Sequence, residues 1–197
     1  MSTNPYVTRI LDNLRVRLPG ALDTALKLEL FNVLNEFLKK SNAWQEDILV
    51  DVKPGVTDYP IEPADGVINR VMQVVNSAGI NVRATFAVPP DLILEVAPVQ
   101  NDTLTVTVSL TVADTDRDEF PVFPDWMFSN YYDDFIDGAL GRMMSQPAKP
   151  YSNERLSIYH LRRFHNAVAR AKAEIQHGNL YSAQSWRYPA FASGRQR

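Results

Sequence analysis

The sequence predicts an α+β fold. We expect a four-helix body built from both chain ends, an antiparallel β insertion between the helix pairs, and an extended C-terminal tail. Two changes of period carry this prediction: apolar residues recur at helical spacing up to residue 40, alternate with polar residues over 44–112, and return to helical spacing after Pro124. Neither helix pair alone can enclose a core, so we expect the two pairs to pack together.

The N-terminal helix pair is predicted within residues 1–43. The first helix has apolar residues at helical spacing over 10–18, and Pro19-Gly20 ends it. The second helix covers residues 21–40 and carries an apolar stripe that begins at Leu22. Asn35 is expected on its polar face, so the stripe predicts a helix with one side against the core.

The β insertion is predicted to span residues 44–120. Strand-like alternation covers 48–53, 69–75, 81–88, 92–96 and 104–112, and residues 58–61 form a short extended piece. Proline, glycine, asparagine and aspartate lie between these stretches, as turns require. The strand at 104–112 alternates apolar residues with serine and threonine, which predicts a sheet with one wetted face.

The C-terminal helix pair is predicted within residues 121–178. The first of these helices covers 126–144 with Trp126 in its apolar stripe, and Ser152 or Asn153 is expected to cap the second. Gly178 is expected to end that helix. Residues 179–197 show no periodicity and are predicted to be an extended tail.

Composition excludes several function classes. The net charge of −3 is unlike that of a protein that coats nucleic acid, and the absence of cysteine excludes disulfides and thiolate metal sites. Neither a glycine-rich phosphate loop nor a nucleophile elbow is present. No apolar run approaches the length of a membrane helix. We therefore predict a protein without catalytic activity or cofactor, made in the cytoplasm.

Three groups of polar residues resemble metal-binding or catalytic sites, but each is better explained as part of a solvated or charge-pairing surface. His160 and His165 are five residues apart, so they lie on different sides of a helix, and both are expected to be solvated. The acids at 114, 116, 118 and 119 lack the glycine and glutamate spacing of a calcium loop. Asp133, Asp134 and Asp137 are expected on the polar side of their helix, as a solvated or pairing face rather than an acid–base pair.

Opposite charges are segregated along the C-terminal third of the chain. Residues 114–137 contain eight acids and one base, a net charge of −7, whereas residues 138–197 contain ten bases and two acids, a net charge of +8. These charges can be satisfied within one molecule, or they can join like subunits head to tail. The residues predicted for a subunit interface are Asp133, Asp134, Asp137, Arg162, Arg163 and Arg170.

The tail combines aromatic and basic residues. From Ile175 to the last residue there is no acid, and Tyr, Trp and Arg are the types enriched at interface hot spots. A frayed terminus is the alternative, but four aromatics within eleven residues are a heavy apolar load for a solvated tail. The residues predicted to bind a partner are Tyr181, Trp186, Arg187, Tyr188, Phe191, Arg195 and Arg197.

Four stretches, in this order, resemble the head-to-tail adaptor proteins of tailed phages. They are NVLNEFL at 32–38 with WQED at 44–47; VDVKPG at 50–55 with DYPI at 58–61; FPDW at 123–126 with IDGALGRM at 136–143; and YH at 159–160 with RF at 163–164 and the alanines at 167, 169, 171 and 173. The resemblance covers most of the chain, and its most specific part is the IDGAL segment.

The resemblance implies a structural role in the virion. Such adaptors form a homo-oligomeric ring below the portal protein, at the neck between head and tail. We expect this ring to be a dodecamer. A tail nozzle or fibre proteins would lie beneath the ring, and DNA would pass through its lumen without sequence-specific binding. The tail residues 179–197 match the portal-binding role of the family's C-terminal tail, although they match no fixed motif.

Two other classes of function stay open. The chain is alternatively another neck or tail subunit, such as a tail terminator or a fibre-attachment protein, which would keep a ring but not the portal contact through the tail. It is alternatively a small ligand-binding module that uses the β insertion. That module would need an exposed aromatic platform, and Phe86 is its one candidate between residues 69 and 112.

Overall fold

The computed structural model describes residues 5–87, 91–113 and 123–176. Its elements follow the predicted order of two helices, a β region and two helices. They are α1 (Pro5–Arg17), α2 (Asp23–Ser41), β1 (Gln45–Val52), β2 (Asp58–Pro60), β3 (Val67–Val75), β4 (Ala84–Ala87), β5 (Asp91–Leu94), β6 (Asp102–Thr111), α3 (Asp125–Met144) and α4 (Glu154–Gln176).

The helices from both chain ends share one hydrophobic core. It contains buried residues of all four helices, together with Val112 and Phe123 from the segments that flank the β region and α3. Aromatic rings fill its centre: Phe37 lies 5.1 Å from Phe135 in an edge-to-face contact and 4.8 Å from Tyr131. The predicted packing of the two helix pairs against each other is therefore confirmed.

Two glycines on α3 allow α4 to approach it closely. A Cβ atom on Gly138 would lie 2.7 Å from Val33 Cγ1 and 2.9 Å from the Phe164 ring, and one on Gly141 would lie 2.7 Å from Leu161 Cγ. Side chains at these two positions would therefore push the helices apart. This close contact decides which residues of α3 are buried.

The β region folds as two small antiparallel sheets around a second core. One sheet has the strand order β1-β6-β3 and the other has the order β2-β5-β4. The second core contains alternate residues of these strands, such as Val106, Val108 and Leu92. Strands β4 and β5 are shorter than predicted, because they pair with each other only over residues 84–87 and 91–94.

Trp44 and a set of polar side chains join the two cores. Trp44 packs against both cores, and its carbonyl accepts a 2.8 Å hydrogen bond from the Leu110 amide. Asn42 contacts Ser109 on β6 at 3.2 Å, and Asn35 binds the hydroxyl of Thr111. Asn35 is buried for this reason, so its predicted place on a solvated face is wrong.

Helix ends explain the other local differences from the predicted pattern. Leu22 precedes α2 and is 72% exposed, and Trp126 in the first turn of α3 is 39% exposed, so neither belongs to the buried stripe. At the start of α4, Asn153 Oδ1 accepts a 3.1 Å hydrogen bond from the Leu156 amide, which confirms the predicted cap. The predicted helix end at Gly178 lies outside the described residues.

Candidate functional site

The six predicted interface residues lie on α3 and α4, which pack side by side. The structure brings four of them together in two ion pairs within the chain, Asp137 with Arg163 and Asp134 with Arg170. Asp133 and Arg162 are exposed and form no ion pair with another described residue. We call the paired groups between the two helices the charged seam. They are Tyr131, Asp134, Asp137, His160, Arg163, Arg170 and Glu174.

Asp137 is the most buried member of the charged seam, at 4% exposure. Its Oδ1 lies 2.7 Å from His160 Nδ1, and its Oδ2 lies 2.8 Å from Arg163 Nε. The arginine is near enough to pair with Oδ2 but is not aligned for a hydrogen bond. The prediction that Asp137 lies on the solvated side of α3 is therefore wrong, because the contact at Gly138 brings α4 over it.

His160 is also more buried than predicted. Its side chain is 13% exposed and faces Asp137 rather than solvent. Because an ionised carboxylate only accepts hydrogen bonds, this contact places the histidine proton on Nδ1. The pair can fix the orientation of the imidazole ring and hold the two helices in register.

Arg163 connects the buried carboxylate with the surface of α4. Its guanidinium lies over the Tyr159 ring at 5.7 Å from the ring centre, and its Nη1 donates a 3.1 Å hydrogen bond to the Tyr159 hydroxyl. Tyr159 is nevertheless 53% exposed. The seam therefore holds an exposed aromatic ring in one orientation.

A second cluster continues the charged seam towards the C-terminus of α4. Arg170 Nη2 donates a 2.8 Å hydrogen bond to Asp134 and lies over the Tyr131 ring, whose hydroxyl donates a 2.6 Å hydrogen bond to Glu174. Burial raises the pKa of Asp134, and the nearby Arg170 charge offsets only part of this effect. Burial, together with the bond to Glu174, raises the pKa of Tyr131. Asp134, Arg170, Tyr131 and Glu174 therefore interact with one another within the same chain.

A third cluster joins α2 to α3. Glu36 pairs with both Lys40 and Arg142, and Arg142 Nη1 also lies 3.5 Å from Glu29 Oε2. Burial raises the pKa of Glu36, but the hydrogen bonds from Lys40 and Arg142 outweigh burial and lower it overall. His165 lies 3.7 Å from the same carboxylate, with its side chain 53% exposed, as expected for a solvated histidine.

Ion pairs within the chain satisfy part of the segregated charge. Asp134, Asp137, Arg163 and Arg170 each have an opposite charge as a neighbour in their own chain. For all six residues, a place in a subunit interface stays a prediction. The acids at 114, 116, 118 and 119 lie outside the described residues.

Two exposed patches were not predicted from the sequence. On β1, Leu49 is 71% exposed and lies between Asp47 and Asp51 on the same side of the sheet. On α4, Ile158 and Tyr159 are 55% and 53% exposed on the side that faces away from α3. The sequence shows that the residues around Leu49 alternate between the two sides of the strand. It does not show which of these sides is buried against other elements.

A cleft lies between β3 and β4. It has a volume of about 680 Å³, and Met72, Arg83 and Phe86 are among its lining residues. Phe86 is half-buried and packs against the β core, so it is not the open platform that the ligand-binding alternative requires. Within residues 5–87, 91–113 and 123–176, no group of acidic, histidine or cysteine side chains is placed to hold a metal ion.

The predicted partner-binding residues of the tail, Tyr181, Trp186, Arg187, Tyr188, Phe191, Arg195 and Arg197, lie outside the described part of the chain. No protein-family model matches the sequence, and no curated protein is significantly similar to it. Among the described helices, none has the length and apolar character needed to cross a membrane.

Proposed function

We propose that this chain is a non-enzymatic structural protein of a tailed-phage virion, an adaptor subunit whose ring joins the capsid portal to the tail. One observation carries the proposal: helices from both chain ends form a single body from which a separately cored β insertion projects. The family that the sequence resembles is expected to have this architecture. The charged seam suits the role, because it stiffens the helical body and leaves the surface available for protein contacts.

The proposal assigns the tail to portal attachment. A segment that orders on binding loses conformational entropy, so a few large side chains have to supply most of the affinity. Trp186 and Tyr188 are the proposed anchors, and Arg187 and Arg195 the proposed partners of portal acids. Below the ring, the β insertion faces the tail nozzle or fibre proteins, and DNA passes through the lumen.

Truncation after Gly178 tests the proposal. We expect the shortened chain to keep its helical content, because the described core ends within α4, and to lose binding to portal rings of the same phage.

A full-length chain with Trp186→Ala and Tyr188→Ala should lose most of the affinity for portal rings. The control Tyr151→Ala, in the described body, should retain it. If the truncated chain binds portal rings with unchanged affinity, the tail is not the anchor and this part of the proposal fails.

A further inference from the structure

The wetted side of the first sheet carries an ordered acidic pattern. Asp47, Leu49 and Asp51 on β1 lie opposite Thr107, Thr105 and Thr103 on β6, in that order. The two carboxylates accept hydrogen bonds of 2.6 and 2.8 Å from the hydroxyls of Thr107 and Thr103. We call these six residues the open sheet face.

Neither carboxylate of the open sheet face has a cation partner among the described residues. Asp47 and Asp51 are both exposed, and their hydrogen bonds to threonine fix them on either side of the exposed Leu49. The β region as a whole is acidic, with nine acids and three bases between residues 44 and 113. The surface therefore presents an apolar side chain between two oriented negative charges.

The outer side of α4 carries the complementary pattern. Arg155, Ile158, Tyr159 and Arg162 are all exposed, and their spacing of three, four and seven residues places them in one stripe. We call them the helix patch. Neither arginine forms an ion pair within the described residues, and Tyr159 is held in place by Arg163.

The two patterns match in length as well as in charge. Asp47 and Asp51 are four residues apart on a strand, or about 13 Å. Arg155 and Arg162 are seven residues apart on a helix, or about 10 Å, and long arginine side chains span the difference. Leu49 would then contact Ile158 and Tyr159 while each arginine meets one carboxylate.

The two patches of one chain adjoin opposite ends of α4. The helix patch is in the N-terminal half of α4, where Ser157 binds the Gly141 carbonyl of α3 at 2.7 Å. Strand β1 begins near the other end of α4, where Gln45 lines one cleft together with Glu174 and Ile175. Arg162 and Glu174 are twelve residues apart, or about 18 Å along the helix, so we expect the two patches of one chain not to meet.

We infer that the open sheet face of one subunit binds the helix patch of a second copy of this chain. This inference rests on the proposed ring and names the surfaces that build it. A contact between two different patches is heterologous, and it generates a closed ring when its rotation closes. Such an interface fits a ring subunit, because each copy offers both halves of the contact.

Charge reversal on either side tests the inference. One variant carries Asp47→Lys and Asp51→Lys, and the other carries Arg155→Glu and Arg162→Glu. Self-association of the full chain, alone and on portal rings, is measured by light scattering and native mass spectrometry. We expect each variant to associate at least about tenfold more weakly than the wild type, because attraction becomes like-charge repulsion. An equimolar mixture of the two should regain association, because each then meets an opposite charge.

Glu62→Lys with Asp65→Lys is the matched control, since it makes the same charge change at two exposed residues outside the open sheet face. Far-UV circular dichroism checks that every variant is folded. If the wild type assembles and both variants assemble equally well, or if their mixture stays unassociated, the inferred interface is wrong while the proposed ring stands. If the wild type stays monomeric both alone and on portal rings, the inference and the proposed function fail together.

Discussion

Removal of the Asp137 carboxylate should destabilise the helical body. The side chain is 6% exposed and contacts His160 at 2.7 Å and Arg163 at 2.8 Å. A charge-assisted hydrogen bond contributes about 1.5–3 kcal/mol, and an exposed ion pair contributes about 0.2–1 kcal/mol. Loss of one partner of a fully buried pair costs about 3–5 kcal/mol, but Arg163 is half-exposed and can be rehydrated. We therefore expect Asp137→Ala to lower the free energy of unfolding by about 2–4 kcal/mol.

Urea denaturation followed by far-UV circular dichroism measures this loss. The control is Asp133→Ala, an exposed acid on the same helix, which should change the free energy of unfolding by less than about 0.5 kcal/mol. A double-mutant cycle with His160→Ala should give a coupling energy of about 1–2 kcal/mol between the two side chains. If Asp137→Ala is as stable as the control, or if the coupling is absent, the seam does not hold α3 and α4 together.

Three further predictions concern packing and pH. Gly138→Val should lower the free energy of unfolding by about 1–3 kcal/mol or more, because the added carbons overlap Val33 and Phe164; Ala173→Val on the exposed side of α4 is its control in the same urea titration. Because the pKa of Glu36 is lowered in the folded state, its stabilising effect is present above the ordinary glutamate pKa and is lost as the pH falls through the folded value. Glu36→Gln should therefore flatten the fall in thermal unfolding temperature on acidification, and an unchanged acid profile would contradict this. Trp44→Ala should cost about 3–5 kcal/mol and separate the unfolding of the two cores, seen as two transitions by proteolysis and circular dichroism; a single transition at the wild-type midpoint would refute it.

Periodicity was sufficient to predict the element order and the common helical core. The apolar stripes of α2, from Leu26 onwards, and of α4 are confirmed, as is the alternation of β6 up to residue 108. The predicted wetted side of β6 is wrong at Ser109 and Thr111, which are buried because they pack against α2 through Asn42 and Asn35. The two-sheet arrangement was not predicted, because the pairing of β5 with β2 and β4 depends on contacts between distant residues. The alternation of apolar and polar residues along a strand shows which residues lie on the same side of the sheet. It does not show which strands pair with each other.

The charged seam could not be predicted, for a different reason. Asp137 is polar by type, and only the close approach of α4 at Gly138 makes it a buried residue. Asn35 is buried in the same way, through Thr111 on a strand far along the chain. In both cases, tertiary packing overrides the polarity pattern of the helix.

The mass of the chain, measured alone and with purified portal rings of a tailed phage, tests the proposed adaptor role most directly. We expect a complex in which each portal ring binds a fixed number of copies of this chain. For a dodecamer that number is twelve. A chain that stays monomeric in the presence of portal rings and does not bind them would contradict the proposed adaptor role. A ring that forms but leaves the portal unbound would instead favour another neck or tail subunit.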